Sequence, residues 1–459
     1  MNWEKLLCHD RLRQTTRQTQ EKRSEIHRDY GRVVFATPVR RLQDKAQVFP
    51  LETIDAVRTR LTHSMEVSSV ARGVAHVVTG EMLDKELIVA EQAYDIETIA
   101  ATCGLLHDIG NPPFGHAGEM AIQDWFKKQS KDFWNFDETD KRRYEKDLLN
   151  FEGNAQTLRL LTKLQILSDR SGLNLTCATL SAAIKYTANS GELPNDGTRQ
   201  SKKKLGFYTS EENEIRQVRE KTGTGEARNP ITFLVEASDD MVYSVVDIED
   251  GVKKGVISWA QVRDILGSAA NKAQIGEEFF KDCVEEAENR ITNAELPLRG
   301  RSRDEAISQY FRTRVILRGQ DAVQKAFFKN YDSIMAGTYE KELLYDSEAG
   351  GLYSILKSEV GYKHVYNAKE TLRLELLGRN VIQSLMDIFW DSEKSMKTKT
   401  FRQKAYNLLS QNYRTVFEHP TEDEKMLPEQ YRKALLVTDY ICGMTDSFAL
   451  NLHRELQNG

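Results

Sequence analysis

Apolar side chains recur along the chain every three or four residues, as in Ile99, Cys103 and Leu106 or Leu173, Cys177, Leu180 and Ile184, the period of a helix with one buried face. Alternating runs are short. The best, ITFLVEAS at 231–238, leads straight into Met241, Val245 and Ile248 at helical spacing, so it too is read as helix. Only 9 prolines interrupt 459 residues. The pattern predicts an all-α chain. Two stretches break it. Residues 189–229 are rich in Gly, Ser, Lys and Thr and are expected to form an irregular excursion between two helices, with room for a short β-hairpin. Residues 126–144 are polar with interspersed aromatics and are expected to be exposed, after which the last third returns to amphipathic helices ending at HREL. Neither a Pro/Gly/Ser linker nor an internal repeat divides the chain, so residues 1–459 are read as one elaborated domain.

Composition narrows the setting. With 40% hydrophobic residues a sizeable core can be built, while a mean hydropathy of -0.56 and the lack of a run of ~20 apolar residues exclude a membrane-spanning helix. The N-terminus, MNWEKLLCHDRLRQTTRQTQEKRSE, has no apolar core of a signal peptide, so a cytoplasmic location is expected. Cys8, Cys103, Cys177, Cys283 and Cys442 form no CxxC pair and read as buried free thiols. The net charge of -5 offers no global attraction to nucleic acid. Any anionic ligand must be held by local basic groups or by a metal.

The segment LLHDIGNPPFGHAGE (105–119) carries the most chemistry. An apolar helix delivers His107 and Asp108 and is stopped at Gly110-Asn111-Pro112-Pro113, so an imidazole and a carboxylate can both reach an ion lying beside the helix end. A His-Asp pair by itself is a weak signal, because the same dipeptide often makes ordinary hydrogen bonds. His63, in RTRLTHSMEVS, sits on another predicted helix with Met65, Val67 and Val70 as apolar companions, and reads either as a core histidine or as a second nitrogen ligand. In EASDDMVYSVVDIEDG (236–251) two carboxylates interrupt an apolar face, and burying one without a partner is costly. Asp239 is preferred to Asp240 because a continuous helix puts Asp239, Tyr243 and Asp247 on one face, with Asp240 turned away by about 100°. His63, His107, Asp108 and Asp239 offer two nitrogens and two carboxylates. Mn²⁺ or Mg²⁺ is the first expectation, with Fe²⁺, Zn²⁺ and Ni²⁺ as alternatives. This metal-binding core spans about 55–250.

Together, RVVFATPVRRLQDKAQVFP, RTRLTHSMEV, LLHDIGNPPFGHAGE, FEGNAQTLRLL, AAIKYTA, KKLGFY, EASDDMVYSVVDIEDG and DYICGMTDSFAL, in this order from about residue 30 to 450, resemble the HD-domain deoxynucleoside triphosphate triphosphohydrolases, including the bacterial dGTP enzymes. The resemblance implies a helical HD phosphohydrolase fold that converts a dNTP, with dGTP favoured, to deoxynucleoside and inorganic triphosphate. It also implies a homo-oligomer, a hexamer or tetramer, with single-stranded DNA as a further ligand of some members. Residues 251–459 would complete the nucleotide pocket and the oligomer contacts. The rival readings are an HD phosphohydrolase acting on other nucleotides, and an HD scaffold that binds single strands through the basic aromatic loop at 202–208.

Further residues acquire roles in that light. A helix beginning near His116 brings Glu119 within reach of its ring, and an acid beside a histidine raises its pKa as a general acid or base requires; the resemblance places this pair near the α-phosphate. Arg60, Asn154, Lys185, Tyr186 and Lys204 are the expected phosphate ligands, since a triphosphate carries about four charges. Asn154 reads equally as a helix cap. Gln47, Tyr243 and Asp247 match the family's sugar-recognition residues, with Tyr243 under the ring and the other two on the 3′-hydroxyl.

Overall fold

The computed structural model describes residues 1–13, 23–52, 54–130, 133–134, 141–165, 172–193, 199–294, 297–390 and 399–458. Helices are the only regular elements among them, as the apolar period predicts. β pairing is limited to isolated bridges, Arg11 with Thr176, Ala46 with Thr59 and Ala188 with Leu205.

Two long helices form the centre. The helix Arg60–Asp84 starts where the Thr59 N–H donates to Thr62 Oγ1 at 3.0 Å, and it buries Val67, Ala71, Val74, Val78 and Met82 along one stripe. The helix Pro230–Lys254 opens on Asn229, whose side chain accepts the Ile231 N–H at 2.9 Å. Its first residue is a proline, whose missing N–H would be unpaired there in any case. It ends at Gly255, in the left-handed region at φ 75°. This helix is buried on nearly every side, by residues that include Phe233, Leu234, Met241, Val242, Val245 and Ile248. A helix enclosed by core has no polar face to display its period, and that is why ITFLVEAS could pass for a strand.

The helix Ala90–Leu106 lies between two apolar cores. It gives Ile96, Ile99 and Cys103 to the core of the two long helices. Leu105 and Leu106 go to a second core, built on the helices Gly115–Lys127, Lys369–Trp390 and Glu429–Cys442. Its C-terminal end therefore falls at the seam, and His107 follows there.

Four expectations are corrected. The 189–229 excursion contains the helix Glu212–Thr222, which buries Ile215, Val218 and Thr222 and ends at Gly223 with φ 67°. Among the described residues the one bridge that reaches it, Ala188 with Leu205, is parallel and so cannot belong to a hairpin; residues 194–198 lie outside the described set. The described aromatics at 126–144 are not exposed. Phe126, Phe133, Trp134 and Tyr144 are buried, and the Phe133 ring lies 4.7 Å from that of Trp390; residues 131–132 and 135–140 lie outside the described set. Met65 is 58% exposed, so it is no companion of buried His63, unlike Val67. All five cysteines are free and four are buried, whereas Cys8 is partly exposed and its thiol meets that of Cys177. No helix among the described residues is long and apolar enough to cross a membrane.

Candidate active site

Three helices deliver the His/Asp cluster: His63 from Arg60–Asp84, His107 and Asp108 from the end of Ala90–Leu106, and Asp239 from Pro230–Lys254. One ligand atom each from His63, His107 and Asp108 lies within 4.8 Å of the others. Asp239 Oδ1 stands 3.1 Å from His63 Nε2 and 3.5 Å from His107 Nε2. His107 Nδ1 is 2.7 Å from the Gly104 carbonyl. A carbonyl only accepts, so this nitrogen carries the proton and Nε2 keeps its lone pair for the cluster. Asp108 is fixed by Asn111 Nδ2 donating to Oδ1 (2.6 Å) and by an Arg60 guanidinium N–H donating to Oδ2 (2.5 Å).

Electrostatics separate the carboxylates. Burial opposes ionisation of Asp108, but Arg60 and the two imidazoles hold its pKa down at about 2. Asp239 is likewise buried, and His107, His63 and Lys185 hold it well below the usual carboxylate range. Asp240 goes the other way, pushed up to about 7 by burial and by Asp239. Two imidazole nitrogens and two ionised carboxylates in a buried cleft fit a divalent cation that takes mixed nitrogen and oxygen ligands.

A small cavity of about 80 Å³ opens beside this cluster, lined by His107, Asp108, Asp239, Asn154 and Lys185. Lys185 Nζ is 3.8 Å from Asp239 and 4.0 Å from Glu236. Asn154 is not the cap of the helix Gly153–Arg159. Glu152 is, accepting the Asn154 N–H at 2.5 Å, and the same carboxylate receives Lys204 Nζ at 3.1 Å. Lys204 also stands 6.0 Å over the Tyr186 ring.

His116 and Glu119 do meet. His116 Nδ1 is 3.1 Å from Glu119 Oε2, and Glu119 Oε1 accepts the Gly153 N–H at 2.7 Å. The hydrogen bond to Glu119 raises the pKa of His116, whose ring is 74% exposed at the mouth of the site. Gly153 is required here, since a Cβ would lie 2.1 Å from Asn111 Oδ1 and 2.9 Å from Glu119 Oε1.

A larger cavity of about 500 Å³ is lined by Gln47, Arg60, His116, Tyr243, Asp247 and Tyr366, among others. Arg60 thus borders this cavity while bonding Asp108. Gln47 Oε1 and Asp247 Oδ1 are buried with no hydrogen bond among the described residues. Two unpartnered acceptors on one cavity call for a donor from a ligand. Tyr243 Oη lies 3.3 Å from Tyr345 Oη, and Lys357 Nζ stands 5.3 Å over the Tyr243 ring.

Of the fourteen residues named from the sequence, His107, Asp108, Asn154, Lys185 and Asp239 line the small cavity and Gln47, Arg60, His116, Tyr243 and Asp247 the larger one. His63 and Glu119 bond to lining residues, while Lys204 and Tyr186 line neither cavity, Lys204 meeting both the Tyr186 ring and Glu152. Sequence reading missed Asn111, Glu152 and Tyr366. The first two lie inside motifs already singled out and are buried or hydrogen-bonded polar residues; Tyr366 ends an eleven-residue wide-turn helix, Leu356–Tyr366, with no motif around it.

Residues 60–150 match the HD domain, covering His63, His107 and Asp108, and residues 353–455 match the phosphohydrolase-associated domain. A deoxyguanosinetriphosphate triphosphohydrolase-like protein of Listeria monocytogenes is 36% identical over 99% of both chains. The deoxyguanosinetriphosphate triphosphohydrolase of Yersinia enterocolitica is 34% identical over 93% of this chain and 92% of its own. With identity of this level sustained along both chains, and the HD match falling on the clustered histidines and aspartate, the chain belongs to the HD-domain family of deoxyguanosinetriphosphate triphosphohydrolases and triphosphohydrolase-like proteins.

Proposed function

We propose that the protein is a divalent-metal-dependent dNTP triphosphohydrolase, with dGTP preferred, that releases deoxynucleoside and intact inorganic triphosphate. The observation that carries this reading is the pair of unpartnered acceptors, Gln47 Oε1 and Asp247 Oδ1, on a cavity that shares Arg60 with the His/Asp cluster. A sugar hydroxyl satisfies the first feature and a phosphate the second. The guanine preference follows the named activity of the relatives.

His63, His107, Asp108 and Asp239 would hold a divalent cation, which when bound would supply a Lewis acid for the phosphate. Arg60, Lys185 and Lys204, with Asn154 and Tyr186, meet the remaining charge of the triphosphate. Gln47 and Asp247 take the 3′-hydroxyl, and Tyr243 packed on the sugar leaves no room for a 2′-hydroxyl. Water adds to the α-phosphorus as the bond between that phosphorus and the 5′ oxygen breaks, and the proton the water gives up passes to solvent. Glu119 holds the proton on His116 Nδ1, turning Nε2 to the reacting atoms. The raised pKa suits His116 to give a proton to the departing 5′ oxygen.

Product analysis with each of the four dNTPs and Mn²⁺ or Mg²⁺ tests the proposal. Inorganic triphosphate is expected in equal amount to deoxynucleoside, fastest from dGTP. Release of phosphate or pyrophosphate in its place would overturn it, since other HD phosphohydrolase reactions yield no triphosphate.

A further inference from the structure

Between Asp108 and His116 the chain turns through Asn111, Pro112, Pro113 and Phe114, and Phe114 stands in the left-handed region at φ 61°, an uncommon conformation for a bulky residue. What holds it is remote in sequence. The Phe114 N–H donates to Asp446 Oδ1 at 2.8 Å, and the Ala46 N–H donates to the other oxygen of the same carboxylate at 3.0 Å. Beside it the buried Lys45 ammonium donates to the carbonyls of Asn111 (2.6 Å) and Cys442 (2.7 Å), and Ser447 Oγ donates to Asp44 at 2.9 Å. Segments 44–46, 111–114 and 442–447 are thus tied into one knot, with Asp446 only 1% exposed at its centre.

Each of the first two segments runs into the site. Ala46 precedes Gln47; Asn111 donates to Asp108; Phe114 is two residues from His116. Neither Lys45 nor Asp446 lines either cavity. A buried lysine and a buried aspartate are costly to keep and are often replaceable by apolar residues of similar volume. Here they satisfy four backbone groups that would otherwise be orphaned, two of them in the turn that carries His116.

We infer that Asp446, together with Lys45, is a positioning residue of the hydrolytic site: it holds the Phe114 turn and thereby sets His116 against Asp108 and Gln47. This rests on the reading of His116 as the proton-transferring group. The C-terminal segment would then act on the reaction without touching substrate.

A double-mutant cycle on the full chain tests it. Asp446→Asn replaces one acceptor by an NH₂ group facing a backbone N–H. It is expected to lower kcat for triphosphate release about 10- to 100-fold, with Mn²⁺ affinity, measured with the metal alone, unchanged within about twofold. The decisive readout is Asp446→Asn combined with His116→Ala, which is expected to be no slower than His116→Ala. Losses that multiply, or a wild-type kcat in Asp446→Asn, would overturn the inference. If Asp446→Asn does not fold, Asp446→Glu, which keeps both oxygens on a longer stem, enters the same cycle. Amide exchange of the 109–119 peptide, read without substrate, separates this inference from the functional reading. Faster exchange in the variant supports the knot even if wild type releases no triphosphate, and unchanged exchange overturns it even if wild type is active.

Discussion

Tyr366 Oη donates a 2.5 Å hydrogen bond to Asp247 Oδ2 across 119 residues of sequence, and Asp247 Oδ1 is left buried without a hydrogen bond among the described residues. The tyrosine comes from the phosphohydrolase-associated part of the chain and the aspartate from the central helix. One wall of the larger cavity is therefore assembled from both.

If Asp247 receives the 3′-hydroxyl, a substrate lacking it should suffer. The kcat/KM of wild type for dGTP is expected to exceed that for 2′,3′-dideoxy-GTP by 10-fold or more, about the worth of one buried hydrogen bond. Asp247→Ala is expected to lose activity on dGTP and to bring the two substrates within about threefold. A ratio that survives the substitution would place the hydroxyl elsewhere.

The same residue should weigh on stability. Burial raises the Asp247 pKa to about 8, against about 3.9 for an unfolded aspartate. The folded state then binds more protons than the unfolded state between these values, so Asp247 lowers stability progressively as pH rises from about 4 to 8. Below pH 4 both states are protonated and the effect vanishes. Asp247→Asn is therefore expected to match wild type in unfolding free energy near pH 4 and to exceed it near pH 8, by on the order of a few kcal/mol. Urea melts at the two pH values check this.

How much of this could be read in the sequence depended on whether the signal was local. His107, Asp108, His116 and Glu119 sit in one short run, where a proline stop and helical spacing place them; the all-α class followed from the apolar period in the same way. Asp239 could be chosen over Asp240 because helical geometry ties it to Tyr243 and Asp247. What escaped was long-range or lost its period. Tyr366 and Asp446 gain meaning only through partners more than a hundred residues away. The helix Glu212–Thr222 is short and charged, with an apolar stripe too narrow to stand out from a polar stretch. The aromatics of 126–144 pack on Trp390 and neighbours that local composition cannot reveal.

His116 and Glu119 lend themselves to a pH test. Glu119 raises the His116 pKa, so a reaction needing protonated His116 should lose rate as pH rises through that value. Glu119→Gln removes the carboxylate and is expected to move the alkaline limb of kcat/KM to lower pH, with kcat also reduced. His116→Ala should abolish that limb and cost about 10²- to 10⁴-fold in kcat. An alkaline limb at the same pH in all three proteins would assign it to another group.

Among the thiols, Cys8 should stand apart. It is partly exposed, and its hydrogen bond with Cys177, aided by Lys221, lowers its pKa to about 7, while Cys103, Cys177, Cys283 and Cys442 are buried. Titration of the native protein with an aromatic disulfide reagent is expected to show one fast thiol per chain, with a rate rising through pH 7. Cys8→Ser should remove the fast phase. Several fast thiols, or one that persists in the variant, would contradict the burial pattern.

A metal titration should discriminate between the two adjacent carboxylates of the central helix. Asp239 lies 3.1 Å and 3.5 Å from the imidazole nitrogens and is held ionised, whereas Asp240 is pushed up to about 7 and is absent from the lining of the small cavity. A ligand that binds only the folded state stabilises it by about 2.7 kcal/mol at a hundred times its Kd. Mn²⁺ is accordingly expected to raise the Tm of wild type and of Asp240→Asn, and to leave Asp239→Asn nearly unmoved. Removing metal with a chelator should lower the Tm of wild type toward its metal-free value and stop triphosphate release, both reversed by added Mn²⁺. Because the Tm shift is read without substrate, it tests the ligand set independently of the reaction. A Tm response lost in Asp240→Asn and kept in Asp239→Asn would exchange the roles of the two residues and break the alignment of metal and sugar sites along one helical face.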